Sequence, residues 1–155
     1  MACDTHPRLR HAYQYWCTVR PGEAFPGRQH IDPFQMRDFL PYVWMVDVQP
    51  EPFRLRYRLV GTRIVTAMGR EVTGLWVDEA HPHLRTCESY LERSREVVRT
   101  GVPSWRRGAP NLWEHDTFSS VENLILPLAA DGETIDMLFI VSVFYRDDGS
   151  EQKSW

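Results

Sequence analysis

Three groups of residues carry side chains that could do chemistry. The first is His81-Pro82-His83, set between Glu79 and Cys87. In an extended His-Pro-His run the two imidazoles face one side, and His83 and Cys87 stand one helical turn apart. Those are ligand types for a transition metal or for an axial contact to haem. The second compact pair of a zinc site is missing, and a solvent-facing helix start stiffened by Pro82 is the simpler reading. The second group is Glu114-His115-Asp116, followed by Ser119 and Ser120. It holds every residue type of a Ser-His-acid triad, yet adjacent residues cannot converge on one strand face and no nucleophile-elbow motif is present. A polar connecting loop explains it better. The third is the row Arg54, Arg56 and Arg58. It suits either docking of an acidic partner or a nucleotide phosphate, or pairing with acids across a sheet, and the second arrangement is the commoner. Strand alternation puts Tyr57 on the face opposite the arginines, so the row lacks the aromatic interleaving that single-strand binders use, which speaks against nucleic acid.

The elements that must position these groups follow from periodicity. Leu9, Ala12, Tyr13, Trp16 and Val19 recur at helical spacing, predicting an amphipathic helix over about 8–20 that Pro21 and Gly22 end. Asp32-Pro33-Phe34-Gln35 reads as the start of a short helix, with Asp32 as N-cap and Gln35 reaching back as in a capping box. A first strand, Tyr42 to Val48, is apolar on both faces. A second, Arg54 to Leu59, alternates Leu55, Tyr57 and Leu59 with the three arginines, and Gln49-Pro50-Glu51-Pro52 turns between the two. Short helical pieces punctuated by Gly69 and Gly74 come next, then the longest helix, His83 to Thr100, stopped by Gly101. Strands are expected at Val102–Arg107, Phe118–Leu128 and Ile135–Tyr145, with Asp131-Gly132 turning between the last two.

Strands apolar on both faces belong in the middle of a sheet. The first and fifth strands are of that kind, so they should be central neighbours, with the second at an edge. The crossover helices cover one face. For the other the amphipathic N-terminal helix is the natural cover, and burying Leu9, Tyr13 and Trp16 there would contribute about 1.5–3 kcal/mol each.

Composition sets the class. The chain has 155 residues, 43% hydrophobic and 25% charged, with a net charge of −3. These are values of one globular domain, α+β by the elements above, with no demand for nucleic acid or an anionic membrane. Of 18 basic residues only Lys153 is a lysine, and the arginines are scattered as a genomic codon preference would leave them. Cys3, Cys17 and Cys87 form neither a disulfide framework nor a zinc ribbon, which fits a reducing, cytoplasmic setting. The start lacks an apolar signal segment, and the longest apolar stretch, Met137 to Tyr145, falls short of the roughly 20 residues a membrane helix needs.

Particular motifs then point to a family. Tyr57-Arg58-Leu59-Val60-Gly61-Thr62-Arg63-Ile64-Val65, Met68-Gly69-Arg70 and Thr73-Gly74 resemble the signature of a bacterial single-domain PAS family. Tyr15-Trp16, Ile31-Asp32-Pro33, Asp47 near the end of the first strand, and Leu126-Pro127-Leu128 before Asp131-Gly132 are similar to it too. The resemblance implies a five-stranded antiparallel sheet of order 2-1-5-4-3, with a helical crossover after strand two. It implies a single domain over 1–155, with its core at about 31–146 and a flexible tail at about 147–155. It also implies a sensory or regulatory module that binds a small-molecule ligand or a protein effector, signals through a separate partner, and forms a homodimer through the N-terminal helix. No particular cofactor transfers with it, since PAS pockets hold haem, flavin, small acids or nothing.

The pocket would lie between the sheet and the crossover helices. Tyr57, Ile64, Met68, Trp76, Tyr90, Trp105, Asn123 and Phe139 are the candidates to line it, with Asn123 the polar contact; as aromatic, methionine and aliphatic side chains, most could equally be core. Two alternatives stand beside the sensor. One is a ligand-free protein–protein adaptor. The other is a small α+β enzyme using His115, or the His81/His83 pair, as general base.

Overall fold

The computed structural model describes residues 4–86, 89–110, 112 and 118–153, except for the side chains of residues 85, 86, 89 and 90. Helix α1, Pro7–Thr18, opens with proline at its first turn and with the His6 imidazole accepting from Arg8 N–H at 3.2 Å. Leu9, Ala12, Tyr15 and Trp16 are its buried residues. Tyr15 takes the place expected for Tyr13, which is only half-buried, because the Tyr15 hydroxyl accepts from the Asp32 N–H at 2.7 Å.

That bond also corrects the helix expected after Asp32. The Asp32 carboxylate accepts from Phe34 N–H at 2.9 Å, as a cap would. Its N–H is already committed to Tyr15, so the Gln35 amide bonds the carboxylate instead, at 3.3 Å. The chain then proceeds through successive turns and a short 3-10 segment, Leu40–Tyr42, with no α-helix.

The sheet consists of β1 (Val43–Gln49), β2 (Arg54–Val60), β3 (Ser104–Gly108), β4 (Ser120–Leu128) and β5 (Met137–Tyr145), all antiparallel, in the order β2-β1-β5-β4-β3. This is the order the resemblance implied. All nine residues of β5 are buried, while β2 alternates, as one-sided burial at an edge predicts. The crossover contains α2 (Thr62–Met68), α3 (Val77–Ala80), a 3-10 turn (Pro82–Thr86) and α4 (Ser89–Thr100). The expected long helix from His83 is therefore a 3-10 turn followed by a 12-residue helix. Gly61, between β2 and α2, lets two backbones meet: a Cβ there would lie 2.5 Å from the Pro41 carbonyl oxygen.

Two apolar compartments lie on opposite faces of the sheet. The inner one joins Trp44, Val46, Leu138, Ile140 and Phe144 to Ile64, Val72, Val77, Leu84, Leu91 and Val97 of the crossover. The outer one joins Val43, Met45, Phe139, Val141 and Val143 to Leu9, Ala12, Tyr15 and Trp16. The outer face is thus covered by this chain's own α1, anchored by Trp16 Nε1–H donating to the Pro127 carbonyl at 2.9 Å. Among the described residues no helix is long and apolar enough to cross a membrane.

The tail is described to residue 153. Arg146–Ser150 closes a turn, Glu151 bridges to Tyr145, and Gln152 N–H donates to Phe144 O at 2.8 Å. The Glu151 carboxylate accepts from Arg8, from His6 Nε2 at 3.4 Å and from Tyr42 OH at 3.2 Å, tying the tail to the start of α1.

Candidate functional site

Among the described residues a polar track crosses the inner compartment. Trp44 Nε1–H donates to Ser142 Oγ at 2.9 Å, and both residues are buried. Ser142 faces Asn123 across the β4–β5 ladder, and Asn123 faces Arg106 across β3–β4. From above, α4 lowers Arg93 onto this strip. Its Nη1–H donates to Asn123 Oδ1 at 2.6 Å, its Nε–H to Ser104 Oγ at 3.1 Å and its Nη2–H to Ser104 O at 3.1 Å. Burial, with the Arg106 charge nearby, brings the Arg93 pKa down to about 10. At the other end the Tyr57 ring lies 5.8 Å from that of Trp44, and the Tyr57 hydroxyl meets His81 Nε2 at 3.0 Å. Burial, then the neighbouring His83 and Arg70, push the His81 pKa down to about 4, so its imidazole is neutral at pH 7. The sheet thus carries hydrogen-bonding groups from one end of the compartment to the other, under a helical roof.

The residues expected to line a pocket divide between the two faces. Tyr57 and Ile64 are fully inside the inner compartment, Met68 packs against it, and Asn123 is on the polar track. Trp76 stands at the rim beneath the Arg54 guanidinium, 4.3 Å from its ring centre. Tyr90 belongs to α4, with its side chain outside the described set. Trp105 and Phe139 do not join the others. Phe139 alternates with Leu138 and Ile140 and so falls in the outer compartment, while Trp105 pairs with the outward-facing Leu124. Strand parity separates them from Tyr57, whatever their hydrophobicity.

Four hydrogen-bonding groups on the two faces of the sheet lie outside the expected lining. Trp44 and Ser142 lie within largely apolar strands, where no local pattern sets them apart. Arg93 lies between Tyr90 and Val97 at helical spacing, which was a usable signal that it faces the sheet. Glu122, fully buried on the outer face, accepts from Trp105 Nε1–H at 2.9 Å, Tyr145 OH at 2.6 Å and His6 N–H at 2.9 Å. Desolvation and this carboxylate push the Tyr145 phenol upward.

The tempting constellations resolve less completely. His81 and His83 approach edge to face at 5.9 Å, whereas Cys87 lies outside the described residues. Among the described residues no three His, Cys, Asp or Glu side chains are grouped to hold a metal. Glu114, His115 and Asp116 are also outside that set; Ser119 is exposed and Ser120 begins β4. Two of the three arginines in the row are paired with acids. Arg54 bonds Asp78 at 2.8 and 3.0 Å and Glu79 at 3.2 Å, and Arg58 stands 4.0 Å from Asp47. Arg56 instead donates to the Gly74 carbonyl at 2.8 Å.

Comparison with known proteins agrees with this architecture. The PAS domain family profile matches residues 4–141. A sensory box sensor histidine kinase from Vibrio cholerae has the same fold, with a TM-score of 0.50 at 12% identity, covering 73% of this chain and 90% of that one. Two sequences of the polyketide synthase component of lovastatin nonaketide synthase, from Aspergillus terreus, are 33% identical over 116 residues, 66% of this chain. The chain spans only 4% of the length of those curated relatives.

Proposed function

The chain belongs to the PAS domain family, and from that membership we propose that it is a sensory module whose small-molecule ligand sits between the sheet and the crossover helices. The observation that carries this reading is the polar track from Arg93 and Asn123 through Ser142 and Trp44 towards Tyr57 and His81. Apolar enclosure with a few convergent polar groups is what ligand sites share. A ligand that favours one packing of α4 on β4 shifts the balance between packings, and a separate effector, in the cytoplasm on this reading, reads the shift. Native mass spectrometry of freshly purified protein, set against its denatured mass, tests it. An added mass that leaves on denaturation is expected; a bare mass under every growth condition would sink the ligand reading.

A second reading, the ligand-free adaptor, draws on Val102 and Trp105, 62% and 38% exposed, which border a groove of about 230 Å³ with Tyr13 of α1. Here the partner is a protein, and a homodimer through α1 would use the side of the helix that carries Arg10, His11 and Gln14, because its apolar side is already packed on the sheet. A bare mass at twice the chain weight favours it. As a general base His81 is poorly suited, since a pKa of about 4 makes it a weak proton acceptor at neutral pH.

A further inference from the structure

We propose that two copies of this chain pair about a two-fold axis, the Phe34 ring of each entering an apolar hollow beside the end of the other's strand β2. The pairing is independent of the ligand reading, and its surface is not the exposed side of α1. The hollow originates in a bulge. Met45 faces Leu59 while Val46 faces Tyr57, so Arg58 is the extra residue of β2. Leu55 and Tyr57 therefore point into the inner compartment, whereas Leu59 packs against the outer one, contrary to the strict alternation of the strand's sequence. Leu59 lines a hollow of about 370 Å³ together with Val60, Leu40, Pro41 and Thr62, and Arg37 is the charged group at its wall. The four apolar side chains are each half-buried, open to the hollow. A phenyl ring needs far less room, since a cavity of about 150 Å³ holds benzene.

The ring that fits it stands one turn away. Phe34 is 87% exposed, more than any other large hydrophobic side chain among the described residues. Backbone N–H groups of Gln35, Met36 and Phe39 each donate to the carbonyl three residues earlier, at 3.1, 3.2 and 2.9 Å. At three residues per turn, Met36 and Phe39 go inside and Phe34, Arg37 and Leu40 form a separate stripe. Phe34 thus sits beside the hollow without filling it. A surface that carries both a projecting ring and a matching hollow is self-complementary under a two-fold, and closes with two copies. The charges match as well. Arg37 and Asp38 are neighbours on this surface, 3.8 Å apart and exposed, a pair that contributes little within one chain. Across a two-fold, Arg37 of each copy meets Asp38 of the other, so the same patch supplies the opposite-charge contact twice. An anionic membrane is a poorer occupant, because Asp32 and Asp38 flank the ring on either side in the chain.

Sedimentation velocity of the whole chain, from about 1 μM to about 1 mM, reads the pairing directly. A monomer–dimer equilibrium is expected. Phe34→Ala removes the ring from an exposed position. It should raise the dimer dissociation constant about a hundredfold or more and leave the melting temperature of the monomer unchanged. Thr62→Trp, at the exposed rim, should fill the hollow and weaken the dimer in the same way. Arg37→Asp and Asp38→Arg should each weaken it, and the two together, which exchange the charges, should restore it. Gln14→Arg, on the exposed side of α1, should leave it unaltered. A chain that stays monomeric at every concentration would overturn the proposal, whether or not it then binds phosphatidylserine vesicles through Phe34. So would a dimer that survives Phe34→Ala, one that Gln14→Arg disperses, or a double charge variant no tighter than the single ones.

Discussion

Replacing His81 by glutamine isolates one titration. The folded chain holds the imidazole at a pKa of about 4, below the ordinary 6.5 of the unfolded chain, because protonation would bury a charge beside His83 and Arg70. A depressed pKa means that stability is intact above pH 6.5 and declines as pH falls towards 4, by at most about 3 kcal/mol. Denaturant melts of the wild type should follow that decline, and His81→Gln, which keeps a partner for the Tyr57 hydroxyl, should be flatter. The difference between the two curves matters, since carboxylates such as Glu151 titrate at the lower end. A variant parallel to wild type from pH 6.5 to 4 would refute the assignment. Glu122 makes the converse case. Its alanine variant strands the Trp105 indole N–H, the Tyr145 hydroxyl and the His6 amide, and should cost about 3–5 kcal/mol by equilibrium denaturation. Glutamine, which keeps acceptors for two of them, should cost less.

Helix α1 depends on two adjacent contacts of unequal weight. Trp16 is 2% exposed and bonded to Pro127 O, so Trp16→Ala should destabilise by about 3–5 kcal/mol, while Tyr13→Ala, on the half-buried side, should cost under about 1.5. Equal losses would mean that the helix does not lie on the sheet as described. The tail behaves as part of the same element. Although burial pushes the Glu151 carboxyl up, Arg8 and His6 more than offset it, and its pKa falls below the ordinary value. Its contribution is therefore present above the carboxylate range and lost as pH drops through it. Glu151→Gln should speed amide hydrogen exchange in residues 8–10 at neutral pH, and acidification should do the same to wild type; unchanged protection would mean that the tail contributes nothing.

The sequence made the whole molecule legible where one-dimensional pattern maps onto geometry. Two-sided burial in the first and fifth strands placed them side by side at the centre, and the one-sided second strand fell at an edge. What stayed hidden depended on which of two apolar faces a residue joins. Phe139 shares its strand parity with Val141 and Val143, yet nothing in the strand says which set points under the helices, and the structure puts all three in the outer compartment rather than among the expected lining. The helix after Asp32 failed for a tertiary reason, since Tyr15, 17 positions away, occupies the N–H that a capping box requires. The bonds of Glu151 to His6 and Arg8 join opposite ends of the chain, which no local rule contains.

Strand β5 is hydrogen-bonded along both edges and buried on both faces, with alternate side chains filling alternate compartments. Neither compartment can therefore melt while the other stays frozen, because each would take half of the same strand with it. The calorimetric and van't Hoff enthalpies should coincide in one transition, and the amides of β5 should be the slowest to exchange in the molecule. Any ligand on the inner side would raise the melting point of α1, which it never touches.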